Sequence, residues 1–352
     1  MDVSIIGAGP AGLISSISAQ RNNLNPCIYE EHNFCGKREN CSGLFSKTGL
    51  ETLTEFIDYK KLIKNSFNGA IIDFAGEKII IEKKEDVAYL IPREKLDGAL
   101  YSNAKGEGVN IKLNKRITDF SGFETIIGAD GPNSQVATYF KFPKIEKFVA
   151  TAKTRIRYSC PDTKKVYLYY ANKIFNGFFG WVIPQNEEEC EIGCGAILPN
   201  NIKESFDRFS KKIGICPEKI LYSIIPIKPR KKTAMQLGEK KIILVGDAAG
   251  QVKSTTGGGV IFGGNCAKIA GIYNQNPLEY EKVWRKKFEF ELKLHSFAQS
   301  FLEKQSDQRL SQIGNFIKKY DFDLYISENG DMDRPSKLMN AGLISHFIKN
   351  IF

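Results

Sequence analysis

The stretch VSIIGAGPAGLISSISAQRNNLNPCIYEE, residues 3–31, constrains the fold of this chain more than any other part of it. Residues 3–6 are short, apolar and mostly β-branched, which reads as a buried strand. Leu13, Ile14 and Ile17 then recur at helical spacing, and PCIYE forms a second strand that ends at Glu30. Gly7, Gly9 and Gly12 stand between the first strand and the helix, and Glu30 follows Gly12 by 18 residues. Gly7 permits a tight turn, Gly9 lets the backbone approach a pyrophosphate, and Gly12 lets helix and strand pack closely. The helix start, Ala11 included, offers unpaired N–H groups to phosphate, and Glu30 can accept from ribose hydroxyls. A glycine triplet alone is weak. In this strand–helix–strand context it describes a dinucleotide-binding unit.

Two further strand-to-glycine turns follow. TIIGADGPNS (125–134) runs a strand into Gly128–Gly131, and KKIILVGDAAG (240–250) runs one into Gly246-Asp247, with Gly257–Gly259 leading into another helix. Between the first two lie a loop-then-helix segment, CGKRENCSGLFSKTGLETL, strand alternation in GAIIDFAGEKIIIEKK, and a helix predicted to start near Pro92. VNIKLNKRITDF reads as one more strand. From about 145 to 233, KTRIRYSC, KKVYLYYANK, GFFGWVIP and CEIGCGAIL suggest an antiparallel sheet, interrupted by one clear helix around NIKESFDRFSKKIG. The remainder is helical and charged, with aromatic residues at helical spacing that read as packing. The predicted class is α/β: a discontinuous nucleotide-binding domain (1–65, 85–145, 235–285), a sheet domain (66–84, 146–234) and a C-terminal helical region (286–352).

Composition narrows the partners. No apolar run reaches the roughly 20 residues that span a bilayer. Asp2 and the early glycines are unlike a signal peptide, so a cytoplasmic location is expected. A net charge of +10 favours anionic partners such as phosphorylated substrates or acidic lipid surfaces, and no nucleic-acid motif is visible. KPRKK (228–232) is the densest basic cluster, a solvated loop or a phosphate contact. The eight cysteines form no CxxC pair, and the three histidines show no paired spacing, so no metal site is expected.

The three glycine turns resemble the three flavin fingerprints of the para-hydroxybenzoate-hydroxylase-like superfamily. The resemblance implies one FAD, with Asp247 of GDAAG on its ribityl chain or ribose, Gly246 in that turn, and the backbone of Gly259 and Val260 beside the isoalloxazine. It likewise implies flavin contacts from Arg93 in IPREKLD and from Ile117, Asp130 and Gly131. Ala137 stands where the second fingerprint often carries an arginine.

GFFGWVIPQNEEECEIGCG (177–195) is similar to the signature of the geranylgeranyl reductase family: aromatic, one residue, Trp, one residue, apolar, Pro, then GxG. Phe179, Trp181, Ile183, Pro184, Gly193 and Gly195 occupy those places, with Phe179 and Ile183 where the family has Tyr and Phe. Taken alone the stretch also fits a core hairpin. NCSGLFS resembles the family's loop with a cysteine near the flavin, which implies a reactive role for Cys41 and backbone contacts from Ser42 and Leu44. The resemblance covers about residues 1–285 and implies hydride reduction of C=C bonds in a geranylgeranyl lipid. The electron donor (ferredoxin, NAD(P)H or another) is left open. A polyprenyl chain offers no hydrogen bonds, so its site must bind by area; Trp and Phe supply area, and the two glycines allow close approach. Two other readings stay open: a flavin monooxygenase or halogenase of the same superfamily, and a non-catalytic isoprenoid or electron carrier.

Overall fold

The computed structural model describes residues 1–35, 41–340 and 342–343; residues 36–40 of the CGKRENC loop and 341 and 344–352 of the C-terminal region lie outside it. A six-stranded sheet carries, in order, Ala234–Leu237, Lys240–Leu244, Thr125–Gly128, Asp2–Ile6, Asn25–Tyr29 and Asn110–Lys112. All neighbours are parallel except the first pair. Both faces are buried, as parallel strands require. Val3, Ile5, Ile127 and Ile243 enter one core with the helix residues Leu13, Ile14 and Ile17. Ile6, Ile126, Ile242 and Leu244 enter another with Phe120 and Val136.

The helices Pro10–Arg21 and Val260–Tyr273 pack closely on the first core because small residues face each other. A Cβ on Gly271 would lie 2.5 Å from Ser18 Cβ, and one on Gly264 would lie 3.0 Å from Ile14 Cδ1. The strand expected over VNIKLNKRITDF is confined to Asn110–Lys112, because Asn114 takes a left-handed φ of 54° that ends the extended run.

A seven-stranded sheet runs Leu221–Pro226, Phe148–Arg157, Glu189–Ile197, Gly180–Pro184, Lys165–Tyr170, Gly69–Phe74 and Glu77–Glu82. It is antiparallel but for one parallel pair, Lys165–Tyr170 with Gly69–Phe74. Those two strands lie far apart in the chain, so no hairpin imposes an antiparallel turn on them. Helix Ile202–Ile213 covers this sheet, capped by Asn201 at one end and by Gly214 in left-handed geometry at the other.

From Pro277 to Asn329 the chain is mostly helical: Pro277–Trp284, a π-helical turn Arg285–Glu289, Phe290–Glu303, Asp307–Lys319 and Phe322–Asn329. Trp284 is fully buried and donates its indole N–H to Thr233 Oγ1 at 2.8 Å. The aromatic residues of this region do not all pack, however. Phe290, Phe297 and Phe301 face solvent. No helix among the described residues is long and apolar enough to cross a membrane.

Candidate functional site

The three glycine turns meet at the carboxyl ends of the parallel strands, where open α/β sheets place their ligands. Gly7 donates its N–H to Tyr29 O, Ala129 to Ile6 O, and Val245 to Gly128 O, all at 2.8–2.9 Å. Gly7 adopts φ 101°, and a Cβ there would lie 2.5 Å from Ala129 O. On Gly12 it would lie 1.9 Å from Gly7 O, and on Gly246 3.0 Å from Ala11 Cβ. These positions are closed. Gly9 is the opposite case: a Cβ there would meet nothing within 4 Å, and the helix it precedes has no side-chain cap. Open space in front of free N–H groups is what a phosphate needs.

That space belongs to a cavity of about 1600 Å³. Gly9, Glu30, Arg93, Asp247, Gly259 and Val260 line one end of it, with Cys41, Ser42 and Leu44 alongside. Val166, Leu168, Tyr170, Phe178, Phe179, Trp181 and Ile183 line the sheet side. The C-terminal segment closes over it from 328 to 340. Gly7, Ala11, Gly12 and Gly246 stand behind the lining and shape the turns.

Several expected site residues do not reach the cavity. Ile117 packs into the second core, and Asp130 accepts Val136 N–H at 3.1 Å to brace its own turn, where Gly131 takes φ 80°. Burial raises the Asp130 pKa. Pro184 is a buried strand end. Gly193 and Gly195 leave no room for a ligand, because their missing side chains are replaced by protein: a Cβ on Gly193 would lie 2.4 Å from Trp181 Cζ2, and one on Gly195 2.3 Å from Phe178 Cδ1. They seat the aromatic wall instead of lining it. KPRKK is also structural in part. Arg230 clamps the third turn through Ala248 O and reaches Pro143 O, both at 2.6 Å, while Lys228 and Lys231 pair with Glu146.

The wall is a run of tilted aromatic contacts, with ring centroids 4.5 Å apart for Phe178–Phe179 and 5.8 Å for Phe179–Trp181. Behind it lies a buried ion pair. Glu191 is fully buried; its Oε2 accepts from Lys153 Nζ at 2.7 Å and its Oε1 from the Trp181 indole N–H at 3.3 Å. Lys153 Nζ also donates to Cys41 O at 2.9 Å, which joins the wall to the cysteine loop. Near the glycine turns, Arg93 makes a two-pronged pair with Asp97, both bonds 2.9 Å. Burial opposes the Arg93 charge, but Asp97, with Cys41 beside it, outweighs burial and holds its pKa above the ordinary value. Glu30 Oε2 accepts Ala8 N–H at 2.7 Å, and its Oε1 lies 2.5 Å from His32 Nδ1, so the acid is fixed at the cavity edge.

A second polar group comes from the C-terminal segment, where the motifs gave no signal. Lys253 Nζ donates to Asp333 Oδ1 at 2.5 Å, and Ser46 Oγ donates to Asp333 Oδ2. His295 lines the cavity and pairs with Thr255 Oγ1 at 2.7 Å through Nδ1. Burial, and then Lys253, push its pKa down to about 4, so it is neutral at ordinary pH. Among the described residues no cluster could hold a metal.

No family model matches the chain. An uncharacterized protein of Methanocaldococcus jannaschii is 28% identical over 96% of this chain and 93% of its own length. From the same organism, digeranylgeranylglycerophospholipid reductase is 24% identical over 90% of each chain. Homologues named digeranylgeranylglycerophospholipid reductase match at 22–25% identity over most of the chain. The crystal structure of a geranylgeranyl bacteriochlorophyll reductase-like protein from Thermoplasma acidophilum superposes with a TM-score of 0.82 at 19% identity, covering 99% of this chain and 96% of that one. The flavin-dependent halogenase CmlS superposes at 0.64 and 15%, covering 99% and 77%. The fold is the para-hydroxybenzoate-hydroxylase-like fold shared by flavin-dependent enzymes.

Proposed function

We propose that this chain is an FAD-dependent oxidoreductase that reduces C=C bonds of a geranylgeranyl lipid. The observation that carries this reading is that the glycine-turn cradle and the aromatic wall open onto one cavity. The residues present fit the cofactor. Gly9 and the uncapped helix leave room and donors for a pyrophosphate, and Glu30 keeps lone pairs for ribose after serving Ala8 and His32. Arg93, Ser42, Leu44, Asp247, Gly259 and Val260 would hold the rest of the FAD. When bound, the flavin supplies the hydride equivalent, and an external reductant such as ferredoxin or NAD(P)H restores it.

The protein's own tasks are alignment, water exclusion and proton supply. An isolated trisubstituted alkene accepts hydride poorly, so protonation leads and cationic character develops at the tertiary carbon. The ring faces of Phe179 and Trp181 favour that charge. Glu191 takes the indole N–H, which fixes the ring's orientation. Cys41 lines the cavity beside Arg93 and is the proposed proton donor. The Lys253–Asp333 pair holds the C-terminal segment over the cavity and keeps water out.

The test is anaerobic incubation of dithionite-reduced protein with geranylgeranyl lipids, followed by mass spectrometry. Gains of two hydrogens per reduced bond are expected. Incorporated oxygen or halogen would assign the chain to the monooxygenase or halogenase branch instead.

A further inference from the structure

Helix Phe290–Glu303 has two apolar faces. Leu292, His295 and Gln299 are buried against the body of the protein, and at about 100° per residue they share one side. Phe290, Phe297 and Phe301 fall on the other side, exposed to 59%, 74% and 48%. Leu294 lies on the same stripe and is half-buried. A row of large apolar side chains directed straight away from a helix's own core does nothing for the packing of that helix.

Charge surrounds the row. Lys286, Lys287, Lys293 and Lys304 are exposed beside it. The acids of this stretch are already engaged: Glu289 with Arg285 and Lys293, Glu291 with Ser336 and Glu303 with Lys147. Among the described residues, Lys286, Lys287 and Lys304 have no carboxylate partner. Phenylalanines flanked by free lysines, on a chain of net charge +10, match the pattern of a helix that lies in the surface of an anionic bilayer.

We propose that helix Phe290–Glu303 docks this protein on an anionic lipid bilayer, with the three phenylalanines entering the acyl boundary and the lysines at the headgroups. A second copy of the chain fits the surface less well. A two-fold contact through this stripe would bring the same unpaired lysines against each other. Docking also places the membrane next to the cavity wall, because the inner face of this same helix supplies His295 to the cavity. The proposal rests on surface chemistry alone and does not depend on the reaction assigned to the cavity.

The test is sedimentation of the full-length protein with phosphatidylglycerol and phosphatidylcholine vesicles, with its association state measured by light scattering. The proposal expects binding to phosphatidylglycerol that weakens with salt, and little binding to phosphatidylcholine. Replacing Lys286, Lys287 and Lys304 by Gln should lower the partition constant by about a hundredfold, roughly fivefold per lysine. Phe290→Ser/Phe297→Ser/Phe301→Ser should abolish binding while the fold and bound flavin are kept, since about half or more of each residue's surface already faces solvent. Equal binding by wild type and the phenylalanine variant would overturn the proposal. So would a wild-type dimer that the phenylalanine variant converts to monomer.

Discussion

Replacing Glu191 by Gln separates the two jobs of that residue. The amide oxygen can still accept the Trp181 indole N–H, now 3.3 Å away, but Lys153 loses its counter-charge. Both side chains of the pair are almost completely buried, at 4% and 0% exposure, so solvent screening does little to soften the loss. Removing one partner of such a pair costs about 3–5 kcal/mol. A deficit of about 4 kcal/mol is therefore expected in urea denaturation at pH 7. Glu191→Leu/Lys153→Met, which removes both charges, should recover most of the loss. A Glu191→Gln variant within about 0.5 kcal/mol of wild type, or a double variant no more stable than Glu191→Gln, would refute the buried-pair argument.

Three other outcomes follow from the same geometry. Gly9→Asp should fold, since a Cβ there meets nothing and Asp suits a helix start, yet purify without flavin because its carboxylate occupies the phosphate position; retained yellow colour on absorbance would contradict this. Gly193→Ala should cost about 1–3 kcal/mol in thermal denaturation and alter the near-UV circular dichroism, because the new methyl meets Trp181 Cζ2 at 2.4 Å. His295 binds its proton more weakly folded, at about 4, than unfolded, near 6.5, so the unfolded state gains protons first as pH falls. Wild type should therefore lose about 3 kcal/mol more stability than His295→Asn between pH 6.5 and 4, read from paired denaturation curves.

The glycine turns were legible in the sequence because a backbone constraint is local: Gly7 and Gly12 are needed by atoms within the same turn or the next strand end. The aromatic wall was legible as a cluster, yet the use of its glycines was not. Whether a missing side chain makes room for a ligand or for Trp181 depends on a partner strand's register, and Trp181 pairs directly with Gly193. Glu191 gave no signal at all. A single acid in an alternating strand reads as solvent-facing, and Lys153, which neutralises it, stands 38 residues away in sequence. His295 reaches the cavity, and Asp333 ties the segment that lines it to Lys253, from a helical region without motifs. In that region apolar periodicity could not distinguish the inward Leu292 from the outward Phe297, since both recur at helical spacing.

Spectroscopy in the absence of oxygen addresses the shared cavity most directly. The protein would be bleached with one equivalent of dithionite and mixed anaerobically with a geranylgeranyl lipid while its visible flavin absorption is followed. Return of the yellow band on lipid addition, slowed in Trp181→Ala, is the predicted result. A band that stays bleached until air is admitted would contradict the account.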